Sequence, residues 1–413
     1  MTDPFVESPV SHPPFVYSSE VAYGCTFCGE CCRERWRVPL DEPTCQSLKQ
    51  RDWNITALRD RARQDPNFFA ESIPTLSTRM AFRNEQGQCI LLGQDGLCQA
   101  HHHFGAKAKG VVCRLFPYLF VEAPEGIYVG YSFCCRPVRK PQELKTATNI
   151  LKESVEDTWQ EAKNFFPGIH YQKATPRVAL GWNIDIPWES YLLLEQGLLT
   201  VLSRQGAPFR YLLAAGYYYL NLIGLFLKEF PDRSMEQIHQ RVSHFVEAMS
   251  KENFERVDRM ARRGKARMGL RRYVMSMMLG LHQAGMKARD LRDSGKGRGE
   301  ISRLSLMRAF FGHFGGRSLG TTLPQELLSE MAGRYLRHVI WRKGLALGSS
   351  LYRLGGLCRE YAMLLVMFSL IEYYAGVFAS GQLGAEEAIC EAIRVVERDF
   401  VLHAGKDETG PAE

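Results

Sequence analysis

Four thiols fall within eight residues, in the run Cys25-Thr26-Phe27-Cys28-Gly29-Glu30-Cys31-Cys32, and no other feature constrains the chain as strongly. Cys89, Cys98, Cys113, Cys134 and Cys135 follow, with Cys45 between the two groups, so that ten of the twelve cysteines sit in the first third of 413 residues. Packing gives no reason for such clustering, because a buried cysteine is only a small hydrophobe. Thiolates bind soft or borderline metals, and ligands two residues apart can grip one ion or one cluster corner from a tight turn. The pattern reads as metal chemistry.

A disulfide framework is the competing reading. Small secreted domains are the ones that need such staples, whereas this chain has 45% apolar residues and ample length for a core. Residues 1–19 are rich in Pro and Ser, with no basic head and apolar run of the signal-peptide kind. The expectation is a reducing, cytoplasmic setting in which thiols persist. A net charge of +7 is mild and hints at an acidic partner without requiring one.

Residues 1–22 read as a mobile tail, with Pro4, Pro9, Pro13 and Pro14 and little periodicity. Residues 23–140 form a loop-rich cysteine-cluster module held by its ligands; Trp36–Leu40 and Ile127–Phe133 have the composition of short strands, and Thr44–Arg63 that of a helix. Residues 141–187 read as a helical connector ending among Pro167, Pro176 and Pro187. From Trp188 to about residue 405 apolar residues recur at helical spacing over Trp188–Ser203, Pro208–Phe230, Ser234–Met249, Asn253–Ala284, Pro324–Arg342, Gly344–Val377 (broken near Gly355-Gly356) and Ala385–His403. Residues 406–413 form a second tail. The predicted fold class is therefore α-dominated, a metal module followed by an all-α domain. The uncharged run Tyr211–Leu227 and the apolar run Tyr361–Ile371 read as buried helices and not as membrane spans.

Between Arg256 and Arg298 the chain carries 13 Lys and Arg against three Asp. Such a run is ordinarily a solvated helix face, and few aromatics interleave with it as they do in single-strand nucleic-acid binders. The Gly-Lys-Gly-Arg-Gly segment at 295–299 lacks the preceding strand and the spacing of a phosphate loop.

Cys25-x2-Cys28-x2-Cys31 has ferredoxin-like spacing, but Cys32 follows directly, without the three-residue gap and Cys-Pro of that motif. A zinc site is satisfied by four ligands, so this many cysteines mean two zincs, one site with spare thiols, or an iron–sulfur cluster with further cysteines around it. Arg33, Arg114 and Arg136 each follow a cysteine and are candidates to offset the negative charge of a thiolate cluster. His101, three residues after Cys98, is a candidate nitrogen ligand or hydrogen-bonding neighbour. Cys358 and Cys390 sit in helical patterns and read as core thiols.

The run Cys31-Cys32-x3-Trp36-x-Val38-x-Leu40-Asp41-x2-Thr44 resembles the start of the flagellin lysine-N-methylase family, within the wider YkgJ-type cysteine-cluster group of zinc- or iron-chelating domains. A second block agrees: Cys89-x2-Leu92-x2-Asp95-Gly96-Leu97-Cys98-x2-His101-x3-Gly105-x7-Cys113-Arg114-x-Phe116-Pro117, followed by a further cysteine that Cys134 or Cys135 matches. Weaker similarity runs through Arg334-Tyr335-Leu336, Arg342-Lys343, Glu397-Arg398 and His403. The resemblance implies an iron–sulfur enzyme that uses S-adenosylmethionine to methylate lysines of a protein such as flagellin. The ligand set it suggests is Cys25, Cys28, Cys31, Cys32, Cys89, Cys98, Cys113 and Cys135.

No glycine-rich dinucleotide-type loop is readable, so a methyl donor would have to be held otherwise. A substrate lysine must lose its proton before accepting a methyl group, and Asp41, Asp95 and His101 are candidate bases by position, each equally a cap or turn residue. The other class of function is a non-catalytic zinc or iron–sulfur module serving structure, metal handling or partner binding.

Overall fold

The computed structural model describes residues 13–34, 38–72, 79–81, 87–146, 152–165, 171–181, 183–229, 234–248, 323–347, 356–380 and 383–402. The basic run from Arg256 to Arg298, the helix expected at Asn253–Ala284, most of the N-terminal tail and His403 lie outside the described residues.

Helix dominates, as the spacing predicts, and the cysteine-bearing region adds small sheets among its short helices. β1 (Phe15–Tyr17), β5 (Tyr118–Ala123), β6 (Gly126–Tyr131) and β7 (Tyr171–Lys173) form a four-stranded sheet in the order β1-β6-β5-β7. Its centre is the antiparallel hairpin β5–β6, in register from Tyr118↔Tyr131 to Ala123↔Gly126 around a two-residue turn at Pro124-Glu125. β1 and β7 join it in parallel on either side. A smaller antiparallel sheet comprises β2 (Pro39–Leu40), β4 (Arg79–Ala81) and β3 (Ala70–Ser72), and β8 (Arg177–Gly181) pairs with β9 (Ile184–Pro187). The strand expected at Ile127–Phe133 is β6, shifted to end at Tyr131. Among the described residues, the helical connector expected at 141–187 holds a 3-10 turn at Pro141–Thr146, the helix α7 (Lys152–Phe165) and then the strands β7, β8 and β9. Alternation in β8 and β9, buried at Val178, Leu180, Ile184 and Ile186, is short enough to be masked by the surrounding prolines.

Every residue of β6 is buried, which follows from helices covering both faces of the sheet. On one face Trp159 of α7 meets Phe15 and Phe120 with ring centroids 5.4 and 5.5 Å apart. On the other lies α11 (Gln325–Trp341), whose Trp341 packs edge-on against Tyr128 at 5.6 Å. Gly130 permits that approach, since a Cβ there would stand 2.9 Å from the Cβ of Arg342.

The remaining helices are α8 (Trp188–Leu202), α9 (Phe209–Lys228), α10 (Met235–Ala248), α12 (Gly344–Leu347), α13 (Leu357–Ser380) and α14 (Ala385–Val396), the last continuing as a π-helical turn at Glu397–Leu402. Expected ends agree within two residues for α8 to α11. α13 begins at Leu357, directly after Gly356 at φ 120°, where a break near Gly355-Gly356 is expected; residues 348–355 lie outside the described residues. α13 is long and apolar enough to cross a membrane by length and composition, but it lies in the core, where the Tyr361 hydroxyl donates to the Leu213 carbonyl of α9 at 3.0 Å. One continuous apolar core takes in Val21 and Leu48, β5 and β6, and α8 through α14.

Several charged groups inside this core are paired. Arg342 donates to both carboxylate oxygens of Glu397 (2.8 and 3.2 Å), and the Tyr335 hydroxyl donates to the same carboxylate at 2.6 Å. Lys343 pairs with Glu195 and lies 3.9 Å from the Tyr128 ring centroid. His338 accepts a hydrogen bond from the Tyr131 backbone N–H through Nε2 at 2.9 Å, which ties α11 to the end of β6. Burial, with Arg342 and Arg334 beside it, holds the His338 imidazole well below its ordinary pKa. Because the unfolded ring takes up its proton near about pH 6.5, stability present above that value should be lost progressively as pH falls below it. Urea unfolding at pH 7.5 and pH 5 should show this decline, and His338→Gln, which keeps an acceptor for Tyr131 without a titrating ring, should flatten it. An equal slope in the two proteins would assign the decline to other groups.

Candidate metal centre

The first thiol loop spans Cys25 to the short helix α1 (Glu30–Arg33). It turns through Phe27 at φ 57° and Gly29 at φ 68°, both left-handed. Glycine is required at position 29 for two reasons: the backbone region, and a Cβ that would sit 2.6 Å from the Gly96 carbonyl oxygen. The second loop, Cys89 to Cys98, is thereby laid directly against the first. The Cys89 N–H donates to the Cys32 carbonyl at 2.8 Å, and Leu92 bridges to Cys98 across the turn Gly93-Gln94-Asp95-Gly96. Cys98 opens α4 (Gln99–Phe104), Cys113 lies in α5 (Val111–Leu115), and Cys135 precedes α6 (Arg136–Arg139).

These four segments link the eight candidate thiols in a chain of pairwise electrostatic influences. Cys32 feels Cys31, Cys89 and Cys98; Cys113 feels Cys89, Cys98 and Cys31; Cys135 feels Cys31 and Cys28. Cys25 enters through Lys109, whose ammonium stands in the field of Cys113, Cys98, Cys31 and Cys25. Burial pulls the Lys109 pKa down, and the surrounding sulfurs reverse this to a net rise.

The environment sorts the thiols by protonation. Cys31 is lowered to about 6, chiefly by a hydrogen bond from the Cys32 thiol, with Lys109 adding to this and burial opposing it. Cys32 rises in turn as the donor of that bond. Burial raises Cys28, pushes Cys113 up to about 12 and raises Cys135 well above its ordinary value. Among the described residues, which include all twelve cysteines, no disulfide forms. Among the same residues, no three His, Cys, Asp or Glu side chains stand close enough to grip a metal ion in the arrangement as it stands. The donor set suits a thiophilic metal in its chemistry. Coordination would have to draw the sulfurs inward and displace their protons, the ordinary coupling of metal binding to deprotonation.

The other cysteines separate from this group. Cys45 is fully buried in α2 (Glu42–Lys49), and the Cys358 thiol points to the Leu220 carbonyl at 3.6 Å, while Cys390 is buried in α14. The doublet divides: the Cys134 sulfur faces the Arg394 carbonyl at 4.0 Å and the Glu397 carboxylate, away from the thiol group that Cys135 joins.

The proposed bases also separate. Asp41 caps α2 by accepting from the Thr44 N–H at 2.7 Å and holds the start of α5 by accepting from the Val111 N–H at 3.1 Å. Asp95 closes its turn by accepting from the Leu97 N–H at 3.0 Å. His101 alone lies beside the first loop, its ring 5.7 Å from that of Phe27. Burial, then Lys109 and His102, lower its pKa, so the ring is neutral at neutral pH.

Of the arginines expected to offset thiolate charge, Arg33 donates to the Cys28 carbonyl at 2.7 Å, but Arg114 pairs with Glu161 and Arg136 with Glu143 and Glu387. Lys109 and Arg139 stand where those charges were expected. Neither adjoins a cysteine in sequence, so residue adjacency misses both. No protein-family model matches the chain, and no curated protein or solved structure is significantly similar to it.

Gly29→Ala should destabilise the protein by about 1–3 kcal/mol from backbone strain alone and lower its metal content, read by denaturant midpoint and metal analysis. Unchanged values in both would contradict the tight apposition of the two thiol loops.

Proposed function

We propose that this chain is a cysteine-cluster metalloprotein, holding an iron–sulfur cluster or zinc through Cys25, Cys28, Cys31, Cys32, Cys89, Cys98, Cys113 and Cys135, and that its activity is N-methylation of lysine on a protein substrate such as flagellin, with S-adenosylmethionine as donor. The supporting observation is that Cys113, Cys98, Cys31 and Cys25, from three segments, stand in the field of the Lys109 ammonium, and that Cys32, Cys89, Cys28 and Cys135 are linked to them in turn. The methylase reading rests on the resemblance of residues 25–135. A bound cluster would supply a Lewis-acidic iron able to accept donor ligands, as zinc would with a free position. The chain's own residues would orient the lysine and take its proton, and His101, neutral and beside the first loop, is the best placed of those considered. The setting is a reducing compartment such as the cytoplasm.

A non-catalytic metal module is the second reading. It is favoured by the engagement of Asp41 and Asp95 as cap and turn residues, which leaves fewer groups for acid–base work. Protein purified without oxygen decides between them. The methylase reading expects a brown protein with matched iron and sulfide that binds S-adenosylmethionine in calorimetry and transfers a labelled methyl group to lysine on flagellin. A colourless zinc protein with no donor binding would overturn it in favour of the structural module.

A further inference from the structure

The thiol groups that must meet at the centre lie at opposite ends of a long stretch of chain, Cys25–Cys32 at one end and Cys135 at the other. One buried side chain spans them. Arg139, at the end of α6, is almost fully buried, with 2% of its side chain exposed. Its Nη2 donates to the Glu30 carboxylate at 2.6 Å, and Glu30 stands between Cys28 and Cys31. Its Nη1 donates to the carbonyls of Phe133 at 2.9 Å and Cys134 at 2.8 Å, while its own N–H donates to the Cys135 carbonyl at 3.2 Å. Arg334 of α11 fixes the same short helix from behind by donating to the carbonyls of Val138 and Arg139 at 3.0 and 2.6 Å.

We infer that Arg139 is the positioning residue of the metal centre, delivering the Cys135 sulfur to the Cys25–Cys32 loop through its ion pair with Glu30 and its grip on the Phe133 and Cys134 carbonyls. This rests on the metal-centre reading above. Three features carry it. A buried guanidinium is costly to desolvate and is ordinarily retained only where its partners are fixed. Here the partners are the backbone on the N-terminal side of one thiol and the carboxylate between two others. A planar fork of donors reaches carboxylate and carbonyls together, which a lysine ammonium cannot do with the same geometry. The carbonyl contacts also turn the doublet, so that Cys135 joins the thiol group and Cys134 faces α14. Groups that orient ligands in this way usually change metal affinity by about 10–100-fold when removed.

Cobalt(II) titration of the reduced, full-length apoprotein tests this, because sulfur-to-cobalt charge-transfer absorption counts bound thiolates independently of any activity. Cys135→Ser should lose part of that absorption and Cys134→Ser should keep all of it. Arg139→Met and Glu30→Gln should each bind cobalt at least 10-fold more weakly with the reduced absorption of Cys135→Ser, at unchanged far-ultraviolet circular dichroism, and Arg139→Lys should recover only part of the loss. The two effects should not add in the double variant, as expected for groups acting on one contact. Wild-type absorption and affinity in Glu30→Gln and Arg139→Lys would overturn the role of Arg139 while leaving the metal centre standing. Failure of the unsubstituted protein to bind cobalt, zinc or iron would instead overturn the metal-centre reading and this inference with it.

Discussion

Thiols have little affinity for one another, and those of this chain that ionise repel. The segments that carry the candidate thiols must therefore be held by something else, and ion pairs fasten the first of them. Glu30 is bound by Arg139, and Glu34, 5% exposed and two residues after Cys32, is bound by Arg394 and Arg398 from the C-terminal helix. Behind them Arg342 holds Glu397, and Glu397 receives the Tyr335 hydroxyl. Removing one member of such a pair leaves the other charge stranded in a poor solvent, at a cost of about 3–5 kcal/mol. The cysteine loop is accordingly fastened to helices more than 300 residues away in sequence, and the sheet between them is buried on both faces.

That arrangement joins the two halves of the chain at the proposed centre. β6 is the shared element. Its Tyr131 meets Tyr23, just before Cys25, with ring centroids 6.5 Å apart, and its backbone N–H donates to His338 of α11. Cys134 and Cys135 follow within four residues of its end and divide between the halves, one sulfur toward α14 and one toward the thiol group.

Much of the helical architecture was legible in the residues, because helices of this length repeat their apolar face several times before a proline stops them. α8 to α11 end within two residues of where periodicity and Pro208 and Pro324 place them. The strands were harder to read. β6 was read from its composition at Ile127–Phe133, but β7, β8 and β9 span only three to five residues each, too short for alternation to mark them. Within the site, cysteine identity was written in the sequence. The charges that organise it were not. Arg114 and Arg136 adjoin cysteines in sequence yet pair with glutamates elsewhere, while Lys109 and Arg139 reach the thiols only through the fold. Asp41 shows the same limit in reverse: its capping bond to Thr44 could be read from local sequence, but its bond to Val111, 70 residues on, could not.

The central claim is that eight particular thiols act as one centre and four others do not. Differential alkylation with mass-spectrometric readout tests it directly, on native protein before and after metal is removed by a chelator. The account predicts that Cys25, Cys28, Cys31, Cys32, Cys89, Cys98, Cys113 and Cys135 gain reactivity together when metal leaves, while Cys45, Cys134, Cys358 and Cys390 react only on unfolding. Independent changes among the eight, or none, would contradict a shared centre.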